Sequence, residues 1–192
     1  MVIGCTLSEN SSRNLLIIRY PRRPRGYFFA CPYQRDSENE AAKWLSLYLA
    51  NIQMIYVSRK EHFNAAHKLY NPAWSVEKNR EVFGPCANEN WHGHNFDLIV
   101  TVKGNPDPET GFVVDLKKLS TLIRDEVIEK LDHKNLNTDV DFMAGKLCSC
   151  ETLIVEIWNI LNRHLPGITK FGQLHSLRLY ETPRNYVEYY GE

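Results

Sequence analysis

The 192-residue chain has no hydrophobic run long enough to cross a bilayer. Its longest uninterrupted aliphatic stretch is Leu15-Leu16-Ile17-Ile18, whereas a spanning helix needs about 20 apolar residues. It has no excess charge of either sign, 23 Lys+Arg standing against 23 Asp+Glu. That balance argues against a nucleic-acid binder that works by neutralising many phosphates. Five cysteines, an odd number at irregular spacings, do not form the disulfide framework of a small secreted domain. A reducing compartment, the cytoplasm, is the expectation. Internal repeats and low-complexity tracts are missing too, so solenoids and mucin-like stalks are excluded. What remains is an ordinary globular composition, 43% hydrophobic and 24% charged, with enough apolar residues for a core.

The charge balance conceals two unlike parts. Residues 1–53 hold 7 Lys+Arg and 4 Asp+Glu, with Ser11-Ser12, the cluster Pro21-Arg22-Arg23-Pro24-Arg25 and a polar patch from Gln34 to Glu40. No sustained period defines a packed element there, and the segment reads as an N-terminal extension. Glu9 and the early prolines fit a transit peptide poorly, and no signal-peptide core is present. A disordered arm and an over-long reading frame with a native start at Met54 are the two readings. Lys43 to Ile52, a candidate short amphipathic helix, speaks against the second.

From Met54 the pattern becomes regular, and residues 54–192 read as one domain. Residues 55–67 and 92–103 are expected strands. In the second, Phe96, Leu98, Val100 and Val102 alternate with Asp97, Thr101 and Lys103, the period of two that a half-buried strand requires. Asp115 can cap a helix carrying Leu116, Leu119, Leu122, Ile123, Val127 and Leu131. A second helix is expected from Glu151 to His164, burying Leu153, Ile154, Ile157, Trp158, Leu161 and Leu165, and stopped by Pro166-Gly167. Residues 173–181 and 185–190 read as two more strands. Two strands, two helices and two strands make an α+β layout, with helices on one face of an antiparallel sheet.

Seven histidines are unevenly placed. His92 and His94 sit two apart on a strand, on the same face as the apolar row, with Cα atoms roughly 6.5–7 Å apart. Both can reach one metal ion, and Gly93 between them permits close backbone approach. A third imidazole, best supplied by His67 at the end of the first strand, would leave an open position, as in a catalytic zinc site. Two edge-strand histidines with ordinary hydrogen bonds are the bland alternative. His62 is a weaker ligand candidate, while His164 and His175 read as a helix end and a strand decoration.

Cys86 lies six residues before His92, in a loop of turn formers. A thiol beside a dication or an imidazolium can act as base or nucleophile; its alternative is a small buried side chain. Cys148 and Cys150 flank Ser149 at a helix start, too close together for a zinc knuckle. In Asp132-His133 a carboxylate can orient an imidazole, although neighbours in sequence often point apart and a solvated helix terminus explains the pair equally simply. Glu181, by strand parity on the face of His175, Leu177 and Leu179, is either a rim charge or an anchor for a ligand with paired N–H donors.

Taken in order, His67, Cys86, His92-Gly93-His94-Asn95, Asp107-Pro108-Glu109-Thr110-Gly111, Leu131-Asp132-His133-Lys134-Asn135-Leu136 and Tyr180-Glu181-Thr182 resemble the 6-pyruvoyl-tetrahydropterin synthase family, which includes 6-carboxytetrahydropterin synthase. The resemblance covers residues 54–192 and none of the first 53. It implies a tunnelling fold, a four-stranded antiparallel sheet with two helices inserted between strands 2 and 3, assembled as a homohexamer from two trimers. Three zinc ligands are implied at His67, His92 and His94, the proton-abstracting thiol at Cys86, and its Asp-His partners at Asp132 and His133, given partly by a neighbouring chain. Glu181 takes the position of the pterin anchor; Ser149, Cys150 and Glu151 line the pterin pocket. Cys150 stands where a hydroxyl residue is expected, and the loop Ala87 to Trp91 departs from the usual Asn/Pro-rich form.

The activity so implied is a zinc-dependent lyase that converts 7,8-dihydroneopterin triphosphate to 6-pyruvoyl-tetrahydropterin with release of triphosphate, feeding tetrahydrobiopterin. Lys68, Lys78, Arg80 and Lys134 are candidates for the triphosphate. The carboxy branch, which also releases acetaldehyde and feeds queuosine, is the alternative. A non-catalytic, metal-stabilised binding module is the second. Neither a nucleic-acid nor a membrane partner is expected.

Overall fold

The computed structural model describes residues 54–192. The extension read over residues 1–53, its candidate helix Lys43 to Ile52 included, lies outside the described residues. Two long strands, β1 (Ile55–His67) and β2 (His92–Gly104), form the spine. They pair antiparallel without a break, from Ile55 opposite Gly104 to His67 opposite His92. Phe63, Ala65, Phe96, Leu98, Val100 and Val102 are all buried on one face, as alternation demands. The Phe63 and Phe96 rings stack at 4.9 Å, directly inward of the histidines that end each strand.

Between β1 and β2 lies a helix that the apolar pattern did not announce, α1 (Val76–Phe83). Ser75 caps it by accepting from the Lys78 amide, and its one buried residue is polar. The Asn79 side chain accepts from the Asn71 amide and donates to the carbonyls of Asn71 and Ser75. A turn of 3-10 helix, Gly84–Ala87, follows and carries Cys86.

After β2, Asp115 caps α2 (Leu116–Ile123), its carboxylate accepting from the Lys117 and Lys118 amides. The helix runs on through a π-helical turn, Arg124–Ile128, into the short α3 (Glu129–Leu131). The π turn has a cause in the sequence. The buried residues Leu119, Ile123, Val127 and Leu131 recur every four positions, which in a 3.6-residue helix would drift by about 40° per step. A wider turn takes up the drift and keeps the stripe on the core. Leu116, expected in that stripe, is 47% exposed at the first position of the helix.

The helix α4 (Cys150–His164) buries Leu153, Ile154, Ile157, Trp158 and Leu161 as expected, with Leu165 beyond it. The last strands, β4 (Gly172–Tyr180) and β5 (Tyr186–Tyr189), complete the sheet. With the two-residue β3 (Lys134–Asn135) its order is β3-β1-β2-β4-β5, five strands where four were expected. β3 pairs parallel with Ala65 and Ala66 of β1, so the sheet is mixed. The parity argument for His175 also fails. Thr101 pairs with Ser176 but Val102 with Leu174, and this bulge at His175 turns Leu174 inward and leaves His175 between Tyr56 and Tyr190.

Candidate active site

The apolar row of the spine ends in imidazoles. His67 and His92 face each other across the last rung of the β1–β2 ladder, with ring centroids 4.5 Å apart. His94 follows on the same face, 5.0 Å from His92 and 5.3 Å from His67. Gly93 makes the crowding possible: a Cβ there would come within 3.0 Å of the Ala65 carbonyl oxygen. The ligand atoms of the three histidines all lie within 4.8 Å of one another.

The hydrogen-bond inventory of the trio is one-sided. His67 Nδ1 lies 2.8 Å from the Cys148 carbonyl oxygen, which makes Nδ1 the donor and leaves a lone pair on Nε2. His67 Nε2, both ring nitrogens of His92, and His94 Nε2 are buried without a hydrogen-bond partner. Burial is the first cause that holds all three imidazoles below their usual pKa, and repulsion among them adds to it. The rings are therefore neutral near pH 7, the form that binds a metal ion. Orphaned nitrogens that converge on one point cost stability in an empty protein. A divalent ion would satisfy them, and the carbonyl behind His67 is the outer-shell contact that orients such ligands. The residues fit a three-histidine metal centre with an open position.

A carboxylate and two thiols stand beside it. Glu181, just past β4, has its amide tied to the Asn185 carbonyl and one carboxylate oxygen 3.5 Å from both His67 Nε2 and His94 Nε2. The approach makes no hydrogen bond, since both nitrogens remain unpartnered. The same oxygen accepts from the Cys150 thiol at 3.4 Å. Burial, then the Glu181 charge, push the Cys150 thiol far up, so Cys150 acts here only as a neutral donor. Cys86 lies near enough to Cys150 to be the last and smallest cause of that rise. The Cys86 turn is tied to the site by its carbonyl, which accepts from Leu69, two residues beyond His67, at 2.9 Å. Cys148 is fully buried and inert, its thiol pushed up by burial.

Of the other expected site residues, Ser149 spends its hydroxyl on the helix, accepting from the Thr152 amide as the cap of α4. Glu151 is exposed in the first turn. Asp132 and His133 do not point apart. Asp132 Oδ2 lies 2.9 Å from His133 Nδ1, and Asp132 Oδ1 accepts from the Asn64 amide at 2.8 Å. The His133 amide in turn donates to the Asn64 carbonyl, and His133 adopts a left-handed φ of 58°. The Asn64 amide is the main cause that holds Asp132 below the usual carboxylate range, with His133 adding to it. The pair thus grips Asn64, whose strand parity is opposite to that of His67. His133 lines a cavity of about 540 Å³ together with Asn64, Gly93, His94, Asn95 and Asp139, and no hydrogen bond or ion pair joins the Asp132–His133 pair to Cys86 within the described chain. Sequence reasoning missed Asn137, whose side chain accepts from the Lys68 amide and donates to the Lys68 carbonyl; only the turn-forming Asn135-Leu136-Asn137 hinted at it.

Fold and site together define an α+β protein with a candidate three-histidine metal centre where its two longest strands end, flanked by a carboxylate and thiols. The 6-pyruvoyl tetrahydropterin synthase family matches residues 56–192. The human 6-pyruvoyl tetrahydrobiopterin synthase is 42% identical over 136 residues, which are 71% of this chain and 91% of the relative. The structure of the Caenorhabditis elegans 6-pyruvoyl tetrahydropterin synthase superposes with a TM-score of 0.67 at 32% identity, covering 73% of this chain and 98% of that one. The Bacillus subtilis 6-carboxy-5,6,7,8-tetrahydropterin synthase is more distant, at 26% over 136 residues, 69% of this chain and 83% of the relative. The chain belongs to the 6-pyruvoyl tetrahydropterin synthase family.

Proposed function

We propose that the chain is a zinc-dependent lyase that converts 7,8-dihydroneopterin triphosphate to 6-pyruvoyl-tetrahydropterin with elimination of triphosphate. The observation that carries this reading is the set of orphaned, neutral imidazole nitrogens of His67, His92 and His94 beside Glu181 and the Cys86 turn, in a chain 42% identical to a pyruvoyl synthase. Zinc held by His67, His92 and His94 would supply Lewis acidity at this position, of the kind that makes a neighbouring C–H more acidic and favours developing negative charge on oxygen.

The chain's own residues do the rest. Glu181 accepts from the paired N–H edge of the pterin, with the Cys150 thiol fixing one of its oxygens. Cys86 Sγ takes the proton from the activated carbon. His133, oriented through Nδ1 by Asp132, returns or shuttles protons at Nε2. Asp132 and His133 are held by the backbone of Asn64 on the open side of β1, with no hydrogen bond or ion pair to the metal centre, which supports their serving the site of a neighbouring copy. The assembly proposed is a homohexamer of two trimers, in which the edge strand β5 and the part of β1 that β3 leaves uncovered are paired. Free cysteines at 86, 148 and 150 favour a reducing compartment, the cytoplasm. Among the described residues no helix is long and apolar enough to cross a membrane.

The test is turnover of 7,8-dihydroneopterin triphosphate by the purified full chain with zinc, following triphosphate and acetaldehyde together. Release of triphosphate without acetaldehyde is expected. Appreciable acetaldehyde would move the chain to the carboxy branch, and no turnover at full zinc occupancy would leave a metal-stabilised binding module.

A further inference from the structure

The residue that precedes His92 is strained. Trp91 has φ of 64°, in the left-handed region where a bulky side chain is a genuine outlier, and such outliers persist where function holds them. Its amide closes a turn on the Asn88 carbonyl at 3.2 Å. That turn swings the indole across the end of the β1–β2 ladder, where its ring centroid lies 4.4 Å from Lys68 Nζ. Tyr70 flanks the same ammonium at 5.2 Å. Lys68 directly follows His67, and its backbone is clamped on both sides by the Asn137 side chain. Among the described residues no carboxylate pairs with the Lys68 ammonium. A lysine with a fixed backbone, a head held by two aromatic faces and no counter-ion is a cation ready for an incoming anion.

We infer that Lys68 is the contact for the substrate's polyphosphate tail, and that Trp91 is the positioning residue that holds its ammonium at the mouth of the three-histidine site. The inference rests on the pterin triphosphate reading for the identity of the anion. Lys68 and Trp91 are the first residues beyond the two strand ends, next to His67 of β1 and His92 of β2, where the strict alternation of strand faces no longer holds. A ligand with a polar head at the histidines and a charged tail one residue-step away meets both groups.

The experiment titrates the full-length zinc-loaded protein with inorganic tripolyphosphate by calorimetry, for wild type, Lys68→Met, Trp91→Asn and Trp91→Phe. Lys68→Met should weaken binding about tenfold, the worth of one hydrogen bond to a charged group. Trp91→Asn, which suits a left-handed φ, should weaken it about three- to fivefold with a Tm at or above wild type. Trp91→Phe should recover most of the affinity by restoring a ring. With dihydroneopterin triphosphate the loss in each weakened variant should fall on KM rather than kcat. Equal affinity in wild type and Lys68→Met overturns the inference, as does a Trp91→Asn variant that loses Tm but not affinity. Tripolyphosphate binding that depends on Lys68 upholds the anion site even in a chain that turns over no pterin. Turnover with Lys68-independent binding overturns it and leaves the proposed reaction standing.

Discussion

Replacing His92 by alanine separates a metal centre from a chance meeting of rings. Neither ring nitrogen of His92 has a hydrogen-bond partner, so the metal-free protein loses nothing polar when the ring goes. Free energies of about 10–16 kcal/mol for four-ligand structural zinc sites imply roughly 2.5–4 kcal/mol per ligand. Removing one of three imidazoles should therefore weaken zinc binding by about 10²–10³-fold. The loss also appears as stability. Zinc at about 1,000 times its Kd stabilises the fold by about 4 kcal/mol, or roughly 8–16 °C of Tm for a chain of this size. Wild type should lose that increment when treated with chelator, whereas His92→Ala, for which the same zinc is only about 1–10 times the weakened Kd, should lose no more than about 0.4–1.4 kcal/mol, roughly 1–6 °C. Metal content by mass spectrometry and paired melting curves are the assays. A His92→Ala protein that keeps stoichiometric zinc and the chelator-sensitive increment would refute the argument, since the trio could not then be the binding site.

Cys86→Ala should keep its zinc and lose turnover by a factor on the order of 10² or more; wild-type rates would remove the thiol from the mechanism. Mixing that variant with His133→Ala after joint refolding should restore part of the activity if neighbouring copies share the site, and an inactive mixture would place both residues in one chain. Glu61 tests the packing of α2 on β1. It accepts from the Ser120 hydroxyl and from Arg59 Nε, both at 2.8 Å; burial works to raise its pKa, but these partners outweigh it and hold the carboxyl below its usual value. Its contribution is complete above the unfolded pKa of about 4.3 and is lost as pH falls through the lower folded value. Glu61→Gln should thus cost about 1 kcal/mol at pH 7, and the gap from wild type in denaturant melts should close below about pH 4; a gap that stays constant down to pH 2 would show that the charge contributes nothing.

What could be read without coordinates was whatever repeats along the chain. The period-two row from Phe96 to Val102 located β2 and put His92 and His94 on its inner face, and the stripe Leu153 to Leu165 located α4. What could not be read depends on partners far away in sequence. Val76–Phe83 carries few apolar residues, and its anchor is Asn79, a buried amide whose partners lie in the preceding loop. β3 is two residues long, too short to show a period. The bulge at His175 reverses parity within a strand, which no alternation count can detect. The pairing of Asp132 with His133 became visible only through Asn64, 68 residues away.

The same physics explains why the site lies at the end of the spine. Along the inner face the β2 positions Phe96, Leu98, Val100 and Val102 and the β1 positions Phe63 and Ala65 are apolar, and at the final rungs they give way to His67, His92 and His94. The sheet buries His67 as fully as the phenylalanines and leaves His92 and His94 half-buried, and desolvation holds such imidazoles neutral with their nitrogens unpaired. An exposed loop would have left the same three rings hydrated and partly protonated. The Phe63–Phe96 stack contributes about 1.5–3 kcal/mol per ring from burial alone, enough to fix the rungs against the unsatisfied nitrogens beside them. Fold stability and readiness to bind a cation thus come from one feature, an apolar strand face that changes residue type before it changes environment.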